Sequence, residues 1–364
     1  MATLEQPHAP ALTSTRPLIG RLLHKTLRLS TIPALAILLV VIFLVAVGRG
    51  VVAISPAQIV AILLQRLGVT VDTAFSTQQA AVLWNIRLPR VLLGMLVGGA
   101  LASSGAAMQG IFRNPLADPG LIGVSSGAAL GAVLATVLGF TQLGIAALPL
   151  AAFVGGLITT LTVYLLARQR NRTEVVTLLL TGVALNAITG AATGFMIFLA
   201  TDQQLRGIVF WSFGSLGGAT WRWVTLVTIP LCLGMLLLPR WGRALNLLTL
   251  GEREAQHLGV ETERVRLTLI ALTALLTGLS VAVCGAVGFV GLVVPHLLRL
   301  IIGPDHRRLL PASALGGAVL LTTADLVART VAAPLEIPLG VVTSIVGGPF
   351  FLWLLGRTRR EHGG

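Results

Sequence analysis

Uninterrupted apolar runs of about twenty residues recur along nearly the whole chain, and they decide what it can become. A bilayer core is crossed by about 20 apolar residues in a helix, whereas a membrane barrel would show strands of about ten residues alternating in polarity. Ten such runs fall near 33–52, 89–109, 120–140, 145–167, 176–200, 221–239, 266–286, 289–302, 311–331 and 338–356, the eighth being short. Composition agrees. Of the 364 residues 55% are hydrophobic and 11% charged, against about 25% charged in a soluble domain, which leaves too few polar side chains to cover a soluble surface. The expectation is an all-α polytopic membrane protein with ten transmembrane helices. It excludes a soluble enzyme, a disordered chain and a disulfide scaffold. Cys232 and Cys284 both lie inside apolar runs and read as small core hydrophobes.

This pattern divides the chain into a polar tail over 1–32, one transmembrane domain over 33–356 with a long hydrophilic loop over 240–266, and a short tail over 357–364. Pro7, Pro10 and Pro17 discourage a long helix in the first tail. The apolar run that follows is too long, and lacks the small-residue cleavage pattern, for a signal peptide. With the N-terminus inside, the outer loops hold seven basic residues, Arg49, Arg66, Arg87, Arg90, Arg206, Arg222 and Arg329. The other 19 of the 26 Lys and Arg fall inside. That asymmetry places both termini in the cytoplasm. It also accounts for the formal charge of +13 without a nucleic-acid partner.

Small residues at helix-packing spacing (Gly94 and Gly98, Gly127 and Gly131, Gly190 and Gly194) allow close backbone approach between helices in lipid. Gly105-Ala106 precedes Pro115 by the interval at which Gly285-Ala286 precedes Pro295, an echo that suits an inverted repeat.

Four segments carry chemistry. Arg87-Leu88-Pro89-Arg90 puts two cations at the outer end of the second span, either as interfacial anchors or as a receptor for an acidic partner. In the cytoplasmic loop, Thr249-Leu250-Gly251-Glu252 fits a capping box opening a helix from Leu250 to Leu258 that Gly259 terminates. Leu250, Ala255 and Leu258 can then share one face, packed on the protein's own helix ends or offered to a cytoplasmic partner. Asp325 and Arg329 stand four apart and can pair along the ninth span. His296 reads as a hydrogen-bonded packing residue. No Ser–His pair, phosphate-binding glycine run or metal-ligand cluster occurs, so no catalytic or metal site is expected.

Taken together, Arg87-Leu88-Pro89-Arg90, the run from Met108 to Pro119 and the run from Gly288 to His296 resemble the FecCD family, the permeases of iron-chelate and vitamin B12 ABC importers. Asp305-His306-Arg307, the stretch from Ala324 to Arg329 and Gly347-Gly348-Pro349-Phe350-Phe351 continue the likeness, which spans about residues 50 to 356. The resemblance implies a type II importer permease of ten helices per subunit in a bacterial inner membrane, working as a homodimer or paired permease. Two cytoplasmic ATPase subunits that use ATP and Mg, and a binding protein outside, complete the assembly, and this chain itself carries no cofactor. It further implies that Arg87, Arg90 and Arg329 meet acids of the binding protein. The segment with Leu250, Gly251, Glu252, Ala255, Leu258 and Gly259 becomes the coupling element for the ATPase. Val175, Val176 and Thr177 fall at the cytoplasmic gate, although the small hydroxyl pair of the vitamin B12 permease is missing. The outer segment from Asp202 to Trp221 looks most like the haem-importing branch, with ferric siderophores or cobalamin as alternative cargo. A secondary transporter would carry coupling carboxylates deep in several helices, and here Asp325 alone qualifies.

Overall fold

The computed structural model describes residues 18–69, 71–169 and 172–362. Its helices run in chain order as α1 (Leu18–Gly48), α2 (Pro56–Arg66), α3 (Thr77–Val82), α4 (Leu88–Phe112), α5 (Val124–Val137), α6 (Ala147–Ala167), α7 (Val175–Phe198) and α8 (Asp202–Ser212). They continue as α9 (Trp221–Leu237), α10 (Gly242–Leu248), α11 (Glu252–His257), α12 (Thr262–Cys284), α13 (Val290–Ile302), α14 (His306–Thr330) and α15 (Leu339–His362). A π turn over Leu83–Arg87 joins α3 to α4. The described strands are two, β1 (Arg168–Gln169) and β2 (Arg172–Thr173), which pair antiparallel just before α7.

Each of the ten expected apolar segments coincides with one helix. Among the described residues seven helices are long and apolar enough to cross a membrane, and Val124–Val137, Val290–Ile302 and Leu339–Leu354 are shorter apolar helices. Two helices run beyond the expected apolar segments. α1 begins at Leu18, well ahead of the expected Pro33, and runs through that proline. α15 continues to His362, so the second tail is helical over most of its length. Residues 1–17 of the expected tail lie outside the described residues.

α4 is the axis of the bundle. Every residue from 97 to 112 is buried, enclosed by α14, α12, α13 and α9. The close approaches depend on glycine. A Cβ on Gly98 would overlap the carbonyl of Gly317 in α14, and one on Gly105 the carbonyl of Gly291 in α13. Gly127 and Gly131 seat α5 on α6 in the same way, against Gly155 and Ala151. Backbones can approach this closely only where no side chain intervenes, which is how helices gain dispersion contacts in lipid. Gly190 and Gly194 differ from the expectation: nothing lies within 4 Å of a Cβ at either position.

Between α12 and α13 the chain is not helical. Phe289 takes a left-handed conformation at φ 68°, and the freed backbone groups find protein partners. Cys284 O accepts from Ser215 N at 2.7 Å, Gly285 N donates to Val281 O at 2.8 Å and Gly288 O accepts from Val290 N at 2.9 Å. Irregular backbone inside a membrane bundle is tolerated only when satisfied in this manner. His296, nearly two turns into α13, stacks edge-on against Phe350 with centroids 5.8 Å apart. Neither of its ring nitrogens has a hydrogen-bond partner, so it packs as expected but without the expected hydrogen bond.

Candidate functional site

α4 runs from Leu88 to Phe112, so the bundle has a Leu88 face and a Phe112 face, and charged residues gather at both.

At the Leu88 face the three expected arginines converge, but on the protein itself. Arg87 is 4% exposed; its Nη1 donates to Val47 O and Gly48 O, each at 2.9 Å, and its Nη2 to Val52 O. Arg329 reaches the same helix end, donating from Nη1 to Arg49 O at 2.9 Å and from Nη2 to Ala46 O. Helix C-termini leave carbonyls without intrahelical partners, and cations there also meet the negative end of the macrodipole. Two arginines from distant helices therefore cap α1.

Arg90 lies between them, 8% exposed. Its Nε donates to Asp325 Oδ1 at 2.9 Å, while Nη1 and Nη2 donate to Glu336 Oε1 and Oε2 at 2.7 and 3.1 Å. Asp325 also pairs with Arg329 at 3.5 Å, so the expected pair along α14 exists as the longer arm of a shared contact. Glu336 is the half-exposed member of the group, and the Arg90 hydrogen bonds, against some burial, hold its carboxyl below the usual range. Glu336 escaped the sequence reading, though it is the lone acid between Val331 and Pro338. The arginines are thus not free rim side chains. Trp84, three residues before Arg87, packs against Trp221 with centroids 5.1 Å apart, joined by a 2.8 Å hydrogen bond from Trp221 Nε1 to Trp84 O, the type of aromatic pair that sits at membrane–water boundaries.

At the Phe112 face, the expected helix of the 240–266 loop is α11, shorter than the expected Leu250–Leu258. The capping box does not form. Thr249 Oγ1 donates back to Asn246 O at 2.6 Å, and Gly251 takes the N-cap position at φ 131°, where an L side chain is strained. Gly259 does terminate the helix, at φ 84°, with Val260 N bonded to Ala255 O at 3.0 Å. The three apolar positions do not share a face either. Ala255 is fully buried, whereas Leu250 and Leu258 are 63% and 59% exposed. Leu258 borders an open groove of about 480 Å³ with Arg240, Trp241, Arg243 and Arg264 on its walls. Asn246 ties α10 to α14 by donating to Asp305 Oδ1 at 2.6 Å and accepting from His306 N at 2.9 Å. Val175, Val176 and Thr177 open α7 at this face, Val176 being 66% exposed.

A buried charged cluster at one end, an exposed apolar pair at the other and a glycine-packed, broken-helix bundle between them define a multi-pass transport protein. The FecCD transport family matches residues 38–357, and the chain belongs to it. It is 48% identical over 309 residues to the hemin transport system permease protein of Yersinia pestis, covering 82% of this chain and 91% of that one. It is 46% identical over 288 residues to the vitamin B12 import system permease protein of Escherichia coli O9:H4 (strain HS), covering 79% and 87%. A solved metal-chelate type ABC transporter in an inward-facing conformation superposes with a TM-score of 0.79 at 33% identity, over 90% of this chain and 98% of the other.

Proposed function

We propose that the chain is the membrane permease subunit of an ATP-driven importer that carries haem. The observation that carries this reading is the 48% identity to a hemin permease across most of both chains. The nearly equal likeness to a vitamin B12 permease keeps cobalamin, and with it ferric siderophores, as the alternative cargo. A secondary transporter is disfavoured on a specific ground. Asp325, the acid that the sequence places deep in a spanning helix, is already neutralised by Arg90 and Arg329, so it is not free to bind a coupling ion.

In this reading ten spans cross a bacterial plasma membrane, with both termini and the Phe112 face in the cytoplasm, as the Lys and Arg distribution favours. Two copies assemble, for which the uncovered Gly190 and Gly194 stripe on the largely unburied α7 leaves room. An inverted repeat relates the halves around Gly105 and Gly285. ATP and Mg are used on separate ATPase subunits, which dock on α11 through Leu250 and Leu258. A binding protein delivers cargo at the Leu88 face, and Val175–Thr177 close the inner end of the path. Uptake into vesicles containing the assembled importer, with the binding protein loaded with hemin, a ferric siderophore or cobalamin, tests the cargo. Hemin uptake is expected; uptake of a siderophore or cobalamin alone would replace haem.

Docking at the Leu88 face needs an acid from the binding protein to take over Arg90 Nη1 and Nη2 from Glu336. Three arginines against two carboxylates leave the cluster net positive. Glu336→Gln removes the competing anion while Asp325 still holds Arg90, so the binding protein should bind severalfold tighter, with a steeper salt dependence. Unchanged or weaker binding would show that Arg90 stays with Glu336.

The coupling contact has an equally direct test. Full burial of one leucine contributes about 1.5–3 kcal/mol, so Leu258→Asp should weaken ATPase assembly by an order of magnitude or more, while the exposed position leaves the permease folded. Assembly and coupled transport at normal levels would exclude α11 as the docking element.

A further inference from the structure

Thr173 ends β2 two residues before Val175, and both its side chain and its backbone are bonded to α12. Its N donates to Glu263 Oε2 at 2.9 Å, its Oγ1 donates to Glu263 Oε1 at 2.6 Å, and its carbonyl accepts from Arg266 Nη1. Tyr164, near the end of α6, donates its hydroxyl to the same Glu263 Oε1 at 3.1 Å. Arg266 is 3% exposed and extends the network the other way. Its Nη2 pairs at 3.1 Å with Glu252, the first residue of α11, and its Nη1 at 3.3 Å with Glu263. Glu252 Oε1 also accepts from Thr262 Oγ1 at 3.4 Å, which in turn accepts from Gln256 Nε2 of α11 at 3.0 Å.

A guanidinium is a rigid planar fork whose donors point in fixed directions. This one spans two elements: the carboxylate opening α11 and the carbonyl that leads into α7. A buried cation cannot let go of its partners without a large desolvation cost. A shift of Glu252 therefore requires Arg266 either to follow or to remain buried with less compensation, and the Thr173 carbonyl lies at the other end of the same fork. Glu263, one helical turn away on α12, fixes the remaining two polar groups of Thr173.

We propose that Arg266 is a positioning residue that transmits displacement of α11 to the start of α7, with Glu263 holding Thr173 so that the peptide moves as a unit. This rests on the reading of α11 as the ATPase contact and of Val175–Thr177 as the inner gate. A purely static clamp would have the same contacts but no dependence on nucleotide, and that difference is measurable. The experiment uses the assembled importer with its ATPase subunits in vesicles, carrying Val176→Cys with Cys232→Ala and Cys284→Ala. Two quantities are read: the nucleotide-dependent change in maleimide labelling at position 176, and substrate transported per ATP hydrolysed.

Arg266→Lys keeps the charge but not the fork, and should lower transport per ATP about fivefold, with a matching loss of the nucleotide-dependent labelling change. Thr173→Val removes one hydroxyl bond and leaves the backbone contacts, so it should act in the same direction by a smaller factor; it carries the test should the lysine variant not fold. Adding Glu252→Gln to Arg266→Lys should cost little more than Arg266→Lys alone, because both break one link. If Arg266→Lys and Thr173→Val each keep the unmodified ratio and the full labelling change, Arg266 is a static clamp and the proposal fails alone. If the Val176→Cys, Cys232→Ala, Cys284→Ala background without further change shows no nucleotide-dependent labelling at position 176, the gate and coupling reading fails and takes this proposal with it.

Discussion

Gly105→Leu is expected to leave no folded permease. The substituent would have to occupy the space of the Gly291 carbonyl, where α4 meets the start of α13. Ordinary overpacking costs about 1–3 kcal/mol because side chains can yield. Here the obstruction is backbone on both sides, so the helices must separate, and the Gln109 bond to the Gly291 carbonyl and the Arg299 bond to Gln109 go with them. Gly207→Leu in α8 is the matched control, since nothing lies within 4 Å of a Cβ there. In detergent-solubilised protein it should change the unfolding temperature little, as surface substitutions stay within about 0.5 kcal/mol. Equal unfolding curves for the two variants would contradict the packing described for α4.

Arg90→Glu should be nearly as damaging, and more so than Arg90→Ala. It would bring a third carboxylate against Asp325 and Glu336 with Arg329 as the nearest cation. Breaking a buried pair costs about 3–5 kcal/mol by stranding a charge, and reversal adds repulsion to that loss. The double change Arg90→Met with Asp325→Leu removes both charges and should recover much of the stability, because a buried pair and a well-packed apolar pair differ little in net free energy. Expression and thermal unfolding of the three variants check the order. Arg90→Glu as stable as the unmodified chain would mean that Asp325 is not held by Arg90. The consequence for docking experiments is direct: charge reversal at Arg90 confuses loss of the partner with loss of the fold, whereas Glu336→Gln does not.

The positions of the apolar helices were readable because a single physical variable, continuous hydrophobicity over the length of a membrane crossing, specifies them. Even the short α13 was visible as a short run. What the sequence hid were matters of partnership. Arg90 and Asp325 are 235 residues apart, and a local charge count sees only the neighbour Arg329. The same count assigned Arg87 to the outer rim, when the uncapped end of α1 draws it inward. Capping was misassigned for a related reason. The motif Ser/Thr-x-x-Glu/Gln does form boxes at Ser55–Gln58, Ser76–Gln79 and Thr201–Gln204, in loops where the hydroxyl residue is extended. At Thr249 the preceding helix α10 offers the Asn246 carbonyl instead. Leu250, Ala255 and Leu258 were legible as apolar but not as a divided set, because a helix of six residues flanked by turns does not keep one face.

The central claim is that cargo crosses from the arginine cluster to α11 under ATP control. The most direct measurement is hemin uptake by vesicles holding this chain and its ATPase subunits, with ATP on the α11 side and the loaded binding protein on the other. The account predicts uptake that requires ATP, the ATPase subunits and the binding protein together. Uptake driven by an ion gradient in vesicles containing this chain without any ATPase subunit would contradict it.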